Sequence, residues 1–232
     1  MITGIDVVLD GTYNTRSVGR PDQPWLYRSA ALDTLTDDGR RMLGELGIGL
    51  VLDLRDDHER GIAAHSVPVR RVPLYGPSGG PLTGRLEDVY EQLLRSRGRE
   101  LTAAVAEIAD SPFPVLVHCT AGKDRTGLVI ALALLVAGWT VDEVVADYAL
   151  SAPAVEPVRG AMVSALLATL TLDPAARRDE RRLQLDSPAE AMLHALGVLD
   201  EFGGPHAYLL RHGFTPDQFS ALRLRLTDGG DA

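Results

Sequence analysis

The residues best suited to chemistry lie together in the run His118-Cys119-Thr120-Ala121-Gly122-Lys123-Asp124-Arg125-Thr126-Gly127. Cys119 is the single cysteine of the chain, so it can form no internal disulfide. An unpaired cysteine ordinarily behaves as a small buried hydrophobe. Its neighbours here argue for a nucleophile. A loop that leaves the carboxyl end of a strand and enters a helix presents successive free N–H groups and the positive end of the helix dipole, and both favour an anion. Thr120, Ala121, Gly122 and Lys123 would line that loop. Ala121 and Gly122 are small enough for the backbone to curl around a tetrahedral phosphate. The same field stabilises a thiolate at Cys119, which makes it nucleophilic at neutral pH.

Arg125 supplies a planar fork that grips two phosphate oxygens, which a lysine cannot do. The Thr126 hydroxyl has two roles open to it: donating to the departing thiolate when a phosphocysteine is hydrolysed, or capping the following helix. His118 is expected to order the loop by hydrogen bonds rather than to transfer protons. A leaving alkoxide or phenoxide needs a proton, and Asp124 is the nearest acid in sequence, placed inside the loop. Asp53, at the end of an apolar strand, is the rival acid; its alternative is to tie down Arg125 or a loop amide. Asp56, Asp57, His58 and Glu59 read as a solvated loop. Lys123 reads as a second positive charge at the rim, suited to a polyanion such as a phosphorylated inositol headgroup, or as plain solvated charge. Val117 stands where a nucleotide-binding loop needs its first glycine, which disfavours kinase or ATPase activity.

Positioning such a loop requires a strand before it and a helix after it. Val115–His118 supplies a buried strand, and the apolar run from Gly127 to Ala137 supplies the helix. Leu50–Leu54 is a second buried strand, Trp25–Tyr27 a short one, and Val67–Leu74 an edge strand shortened by Pro68 and Pro73. Thr36 caps a helix that reaches about Leu46 and stops at Gly47. Tyr75–Gly84 reads as a loop, followed by helices over Arg85–Arg97 and Arg99–Asp110. Thr140 opens another helix with an acid three residues on. Beyond Val155 the chain reads as helices interrupted by a polar break, Asp173–Asp186, taken as a loop or solvated helix end. Ser187 and Thr215 are placed as caps of helices beginning at Pro188 and Pro216. The fold expected is α/β: a central, mostly parallel sheet flanked by helices, with extra C-terminal helices.

With 232 residues and 45% apolar side chains the chain suits one domain, 1–232. A net charge of −9 argues against nucleic acid as a partner. No apolar run reaches about eighteen residues, so no stable membrane insertion is expected. Met1–Asp10 carries acids where a secretory segment carries Lys or Arg, which reads as cytoplasmic. The six histidines lack metal-site spacing and cysteine partners, so neither metal nor other cofactor is expected.

The loop resembles the signature H-C-x5-R-[ST] of the protein-tyrosine phosphatase superfamily, and within it the bacterial atypical branch whose loop reads H-C-x-A-G-K-D-R-T-G. The likeness extends to Asn14-Thr15-Arg16 with Gly19, Tyr27-Arg28-Ser29-Ala30, Asp53-Leu54-Arg55, Asp147-Tyr148-Ala149-Leu150-Ser151 and Gly213-Phe214-Thr215. Ser17 and Arg20 depart from it, standing where relatives commonly carry Asp and a second glycine. The resemblance implies a phosphatase-like fold and hydrolysis of phosphotyrosine proteins, often with tolerance for phosphoserine or phosphothreonine, and some activity on phosphoinositides. It also implies that the residue matching Asp124 is the acid; the superfamily's separate Trp-Pro-Asp loop is absent, which fits that role and leaves Asp53 as the rival. A phosphate-binding module without turnover would tolerate loss of Cys119 or Asp124, and both are kept. Arsenate reduction usually needs further cysteines. The helices around Arg85–Asp110 and Val155–Leu172 are expected as a lid over the site.

Overall fold

The computed structural model describes residues 4–19, 23–62, 64–76, 79 and 84–227. Arg20 and most of the expected loop Tyr75–Gly84 lie outside them. The chain runs β1 (Arg16–Val18), β2 (Leu26–Ser29), α1 (Asp37–Glu45), β3 (Leu50–Asp53), a 3-10 turn (Asp57–Glu59), β4 (Val69–Arg71), α2 (Leu86–Ser96), α3 (Gly98–Asp110) and β5 (Val115–His118). It continues as α4 (Asp124–Ala137), α5 (Val141–Ala149), α6 (Ser151–Thr169), α7 (Pro174–Leu185), α8 (Ala189–Glu201), α9 (Gly204–Arg211) and α10 (Pro216–Thr227).

The strands form one sheet in the order β1-β2-β5-β3-β4. Among the described strands β1 pairs antiparallel with β2, and the pairings β2–β5, β5–β3 and β3–β4 are parallel. Alternate residues of each strand face opposite sides, as the pleat requires. Leu26, Leu52, Val115 and Val117 join the larger core with residues of α2, α3, α4, α8 and α10. Tyr27, Val51 and Leu116 point the other way, into a core closed by Leu43 of α1. Helices therefore cover both faces of a mostly parallel sheet, as the apolar strands predicted.

The caps behave as their residues dictate: Thr36 accepts the Gly39 N–H, and Thr140 and Glu143 form a reciprocal capping box. Thr215 likewise accepts the Gln218 N–H.

Three expectations need correction. α4 begins at Asp124 rather than after Thr126, so Asp124 and Arg125 sit in its first turn. The polar break expected over Asp173–Asp186 is the full helix α7. Asp173 accepts the N–H groups of Ala175 and Ala176, and Pro174 occupies the first turn. Its apolar face is narrow, with Leu183 and Leu185 buried beside Glu180, and the run of charged residues from Arg177 to Arg182 hides it in the sequence. Ser187 does not cap α8. Its hydroxyl accepts the Ala152 N–H at 2.8 Å and donates to the Ala149 carbonyl at 3.2 Å, binding the α5–α6 junction instead. Among the described residues no helix is long and apolar enough to cross a membrane.

Candidate active site

The parallel register brings Ser29, His118 and Asp53 level at the carboxyl ends of β2, β5 and β3. This is the edge of an α/β sheet where ligands bind. From His118 the chain curls through Cys119 to Lys123 and enters α4. Gly122 makes the curl with φ +67°, and a Cβ there would lie 2.1 Å from the Ser29 carbonyl oxygen. No larger residue fits that turn without moving the backbone.

The back of the loop is held by donors to its carbonyls. Asn14 Nδ2 donates to the Ala121 and Gly122 carbonyls at 3.0 Å each. Arg28 Nη2 donates to the carbonyls of Gly122 at 2.7 Å and Lys123 at 3.3 Å. These two residues are set by a buried carboxylate: Asp147 accepts Arg16 Nε at 2.7 Å and Arg28 Nη1 at 2.5 Å. Arg16 also donates to Asn14 Oδ1, and both arginines donate to the Ser151 hydroxyl. Burial raises the Asp147 carboxyl pKa, but the charges of Arg28 and Arg16 outweigh that and leave it lowered. With its carbonyls drawn backwards, the loop's N–H side is left for an anion.

Cys119 is buried. Burial pushes its thiol up, but Arg125's charge and the hydroxyl and N–H of Thr126 outweigh it, so the pKa falls below the ordinary thiol value. The Thr126 hydroxyl is buried and has no hydrogen-bond partner among the described residues, and its nearness acts to lower the Cys119 thiol pKa. His118 Nδ1 lies 3.2 Å from the Cys119 carbonyl. A carbonyl only accepts, so Nδ1 carries the proton. Burial holds the imidazole below its usual pKa, with nearby Asp53 opposing.

Arg125 is gripped from both sides. Glu59 accepts its Nη1 at 2.5 Å and its Nη2 at 2.6 Å, and also accepts the Thr120 hydroxyl at 2.7 Å. The ring of Tyr75 lies 4.3 Å from the guanidinium carbon, a cation–π contact that adds an aromatic wall to the site. Burial would raise the Glu59 carboxyl, but its bond to Arg125 and that residue's charge lower it to about 2. A carboxylate depressed from 4.5 to about 2 stabilises the fold fully above 4.5, and that stabilisation is lost as pH falls through about 2. Glu59→Gln is therefore expected to flatten the decline of stability with acid across that window, measured by denaturant unfolding at stepped pH. An unchanged slope would contradict the ion pair.

Asp124 Oδ1 accepts the Tyr90 hydroxyl at 2.7 Å and lies 3.0 Å from Lys123 Nζ. Lys123 is not at the rim. It is 1% exposed, and its ammonium donates to the carbonyls of Leu183 at 2.9 Å and Asp186 at 2.6 Å. A cation at the end of α7 is favoured by that helix's dipole, and these contacts draw the side chain inward. Asp53 takes the tethering role. Its oxygens accept Arg55's N–H, Nε and Nη2, each at 3.0 Å. The loop amide it holds is that of Arg55, and the arginine is Arg55 rather than Arg125.

The tyrosine phosphatase family model matches residues 7–228. The chain belongs to the tyrosine phosphatase family. It is 31% identical over 197 residues to the triple specificity protein phosphatase PtpB of Mycobacterium tuberculosis, covering 65% of this chain and 71% of that protein. It is 29% identical over 223 residues to a tyrosine-protein phosphatase of Nostoc commune, covering 88% and 74%. The solved structure of P. aeruginosa TpbA aligns at 20% identity over 97% of each chain with a TM-score of 0.42.

Within this tyrosine phosphatase the expected site residues fall in sequence order on β5, loop and α4: His118 ends the strand, Cys119 to Lys123 form the loop, and Asp124, Arg125 and Thr126 open the helix, while Asp53 ends β3. Glu59 was placed in a solvated segment and instead anchors Arg125. The Asp56-x-x-Glu59 spacing of a capping box was its available signal, and that box is present. The supporting set Arg16, Arg28 and Asp147 had a weaker signal: an arginine inside an apolar strand and an aspartate on the buried face of a helix. α6 and α7 pack Val155, Val163, Leu167 and Leu185 with Ala121 of the loop. α2, in the other segment expected as a lid, contributes Tyr90, whose hydroxyl donates to Asp124.

Proposed function

We propose that this chain hydrolyses phosphotyrosine in proteins through a phosphocysteine intermediate, with Cys119 as nucleophile, Arg125 and the loop from Thr120 to Lys123 binding the phosphoryl group, and Asp124 as the acid. The observation that carries this is the geometry of the loop: Asn14 and Arg28 hold the Ala121, Gly122 and Lys123 carbonyls, and Glu59 fixes the Arg125 fork beside Cys119, whose charge favours the thiolate. The Cys119 thiolate attacks phosphorus, the ester P–O bond breaks, and Asp124 gives its proton to the leaving oxygen. Water then attacks phosphorus and loses a proton to Asp124. The S–P bond breaks, and the Thr126 hydroxyl stabilises the returning thiolate.

Arg125 follows the charge on the equatorial oxygens through both steps. Glu59 fixes its fork and so orders the site before substrate arrives. The Tyr75 ring beside Arg125 suits an aryl ester, which supports phosphotyrosine as the preferred substrate. The M. tuberculosis relative's triple specificity supports a wider range of phosphate esters. Burial of Lys123 removes the rim charge that favoured phosphoinositides, and the resemblance to the family, which implies some activity on them, is the support that remains. Asp53 keeps a tethering role, with both oxygens engaged by Arg55.

Steady-state hydrolysis of phosphotyrosine peptide, phosphoserine peptide and phosphoinositides, measured in chelator, tests the assignment. Asp124→Asn is expected to lower kcat on phosphotyrosine peptide by about 10²- to 10³-fold, and Asp53→Asn to act mainly on stability. The reverse order would transfer the acid to Asp53.

A further inference from the structure

The hydroxyls of Tyr90 and Tyr148 meet at 2.6 Å, and Tyr90 continues to Asp124 Oδ1 at 2.7 Å. Tyr90 comes from α2 and Tyr148 from α5; their exposures are 0% and 1%. Their rings meet edge to face with centroids 6.1 Å apart, a favourable aromatic geometry. Burial and the neighbouring Asp124 hold both phenols above the ordinary tyrosine pKa, so both keep their protons at neutral pH.

Proton accounting fixes the direction of this chain. Each phenol has one proton. An ionised carboxylate can only accept, so Tyr90 donates to Asp124 and Tyr148 must donate to Tyr90. Lys123 Nζ, 3.0 Å away, converges on the same oxygen, Oδ1. An ammonium has no acceptor, so a proton on Oδ1 would face a donor already pointed at it. When Asp124 is protonated, the proton is directed to Oδ2, while Oδ1 goes on accepting from Tyr90 and Lys123.

We propose that Tyr90, backed by Tyr148, is a positioning residue that locks Asp124 with Oδ2 as its proton-bearing oxygen, turned to the leaving group. The inference rests on Asp124 being the acid, as argued above. It assigns to two phenols on separate helices the task of orienting a carboxyl that otherwise rotates about its side-chain torsions. Misplacing a proton donor by an ångström costs up to about 10²-fold in rate. That cost falls on the step in which the ester oxygen departs, so it grows as the leaving group becomes more basic.

The experiment is kcat/KM for a series of aryl phosphates of graded leaving-group pKa, which reads the steps through ester cleavage. It is run for wild type, Tyr90→Phe, Tyr148→Phe and Asp124→Asn, with thermal unfolding of each. Tyr90→Phe keeps the ring and its packing. The expected result is a loss of about 10- to 100-fold on the most basic leaving groups and little on the most acidic. The dependence on leaving-group pKa is thus steeper than wild type in the direction of Asp124→Asn, and Tyr148→Phe shows the same trend more weakly. A uniform loss across the series in Tyr90→Phe, or no loss, while Asp124→Asn steepens the dependence, overturns the positioning role alone. An unsteepened series in Asp124→Asn overturns the acid assignment, and the positioning role falls with it.

Discussion

Cys119→Ser is expected to abolish turnover of phosphate monoesters, lowering kcat by on the order of 10⁴-fold or more, while phosphate esters still bind. The sulfur's reactivity comes from its environment. Burial opposes ionisation, and Arg125 and Thr126 overcome that opposition. A serine hydroxyl in the same place ionises far less readily and lacks the intrinsic nucleophilicity of a thiolate. Binding depends on other atoms: the loop amides and the Arg125 fork held by Glu59 at 2.5 and 2.6 Å. Kinetics on phosphotyrosine peptide, paired with calorimetric titration of the same peptide into the serine variant, separates the two. Turnover at a comparable rate in the variant would remove Cys119 from the chemistry.

Asp147→Ala is expected to cost about 3–5 kcal/mol of stability, the usual penalty for leaving buried charges uncompensated. Asp147 is 6% exposed, Arg16 2% and Arg28 0%, so water cannot replace the missing carboxylate without opening the core. Burial and the neighbouring Arg28 already lower the Arg16 pKa to about 10, with Asp147 opposing them; without Asp147 two guanidinium groups face each other. Activity is expected to fall further than the folded fraction alone explains. Arg28, once released from Asp147, no longer holds the Gly122 and Lys123 carbonyls away from the anion side. Denaturant unfolding measures the first effect, and specific activity per folded molecule the second. A variant within about 1 kcal/mol of wild type would contradict the role given to this cluster.

Much of the fold was legible because its signals are local. The apolar strands at Leu50–Leu54 and Val115–His118, the Thr36 and Thr140 caps and the small residues before Arg125 each carry their own physical reason. The loop's chemistry was legible for the same cause, since one contiguous run supplies nucleophile, cradle and fork. What escaped depends on long-range contact. Glu59 reaches Arg125 across 66 positions, and Asp147 reaches Arg28 across 119, so nothing beside either residue announces its partner. Lys123 was misplaced because a lysine in a loop is normally solvated; the carbonyls at the end of α7 that bury it belong to a helix whose charge density concealed it. β1 was missed because three residues at a sheet edge carry too little pattern to register.

Passage of phosphate through Cys119 lies at the heart of the proposed mechanism. It is tested most directly by mixing the protein with phosphotyrosine peptide, quenching in acid during turnover, and mapping the modified peptide by mass spectrometry. One added phosphoryl group is expected on the peptide containing Cys119, absent from Cys119→Ser and from wild type quenched before substrate. Phosphate on any other residue, or full turnover with no adduct on Cys119 at any quench time, would contradict it.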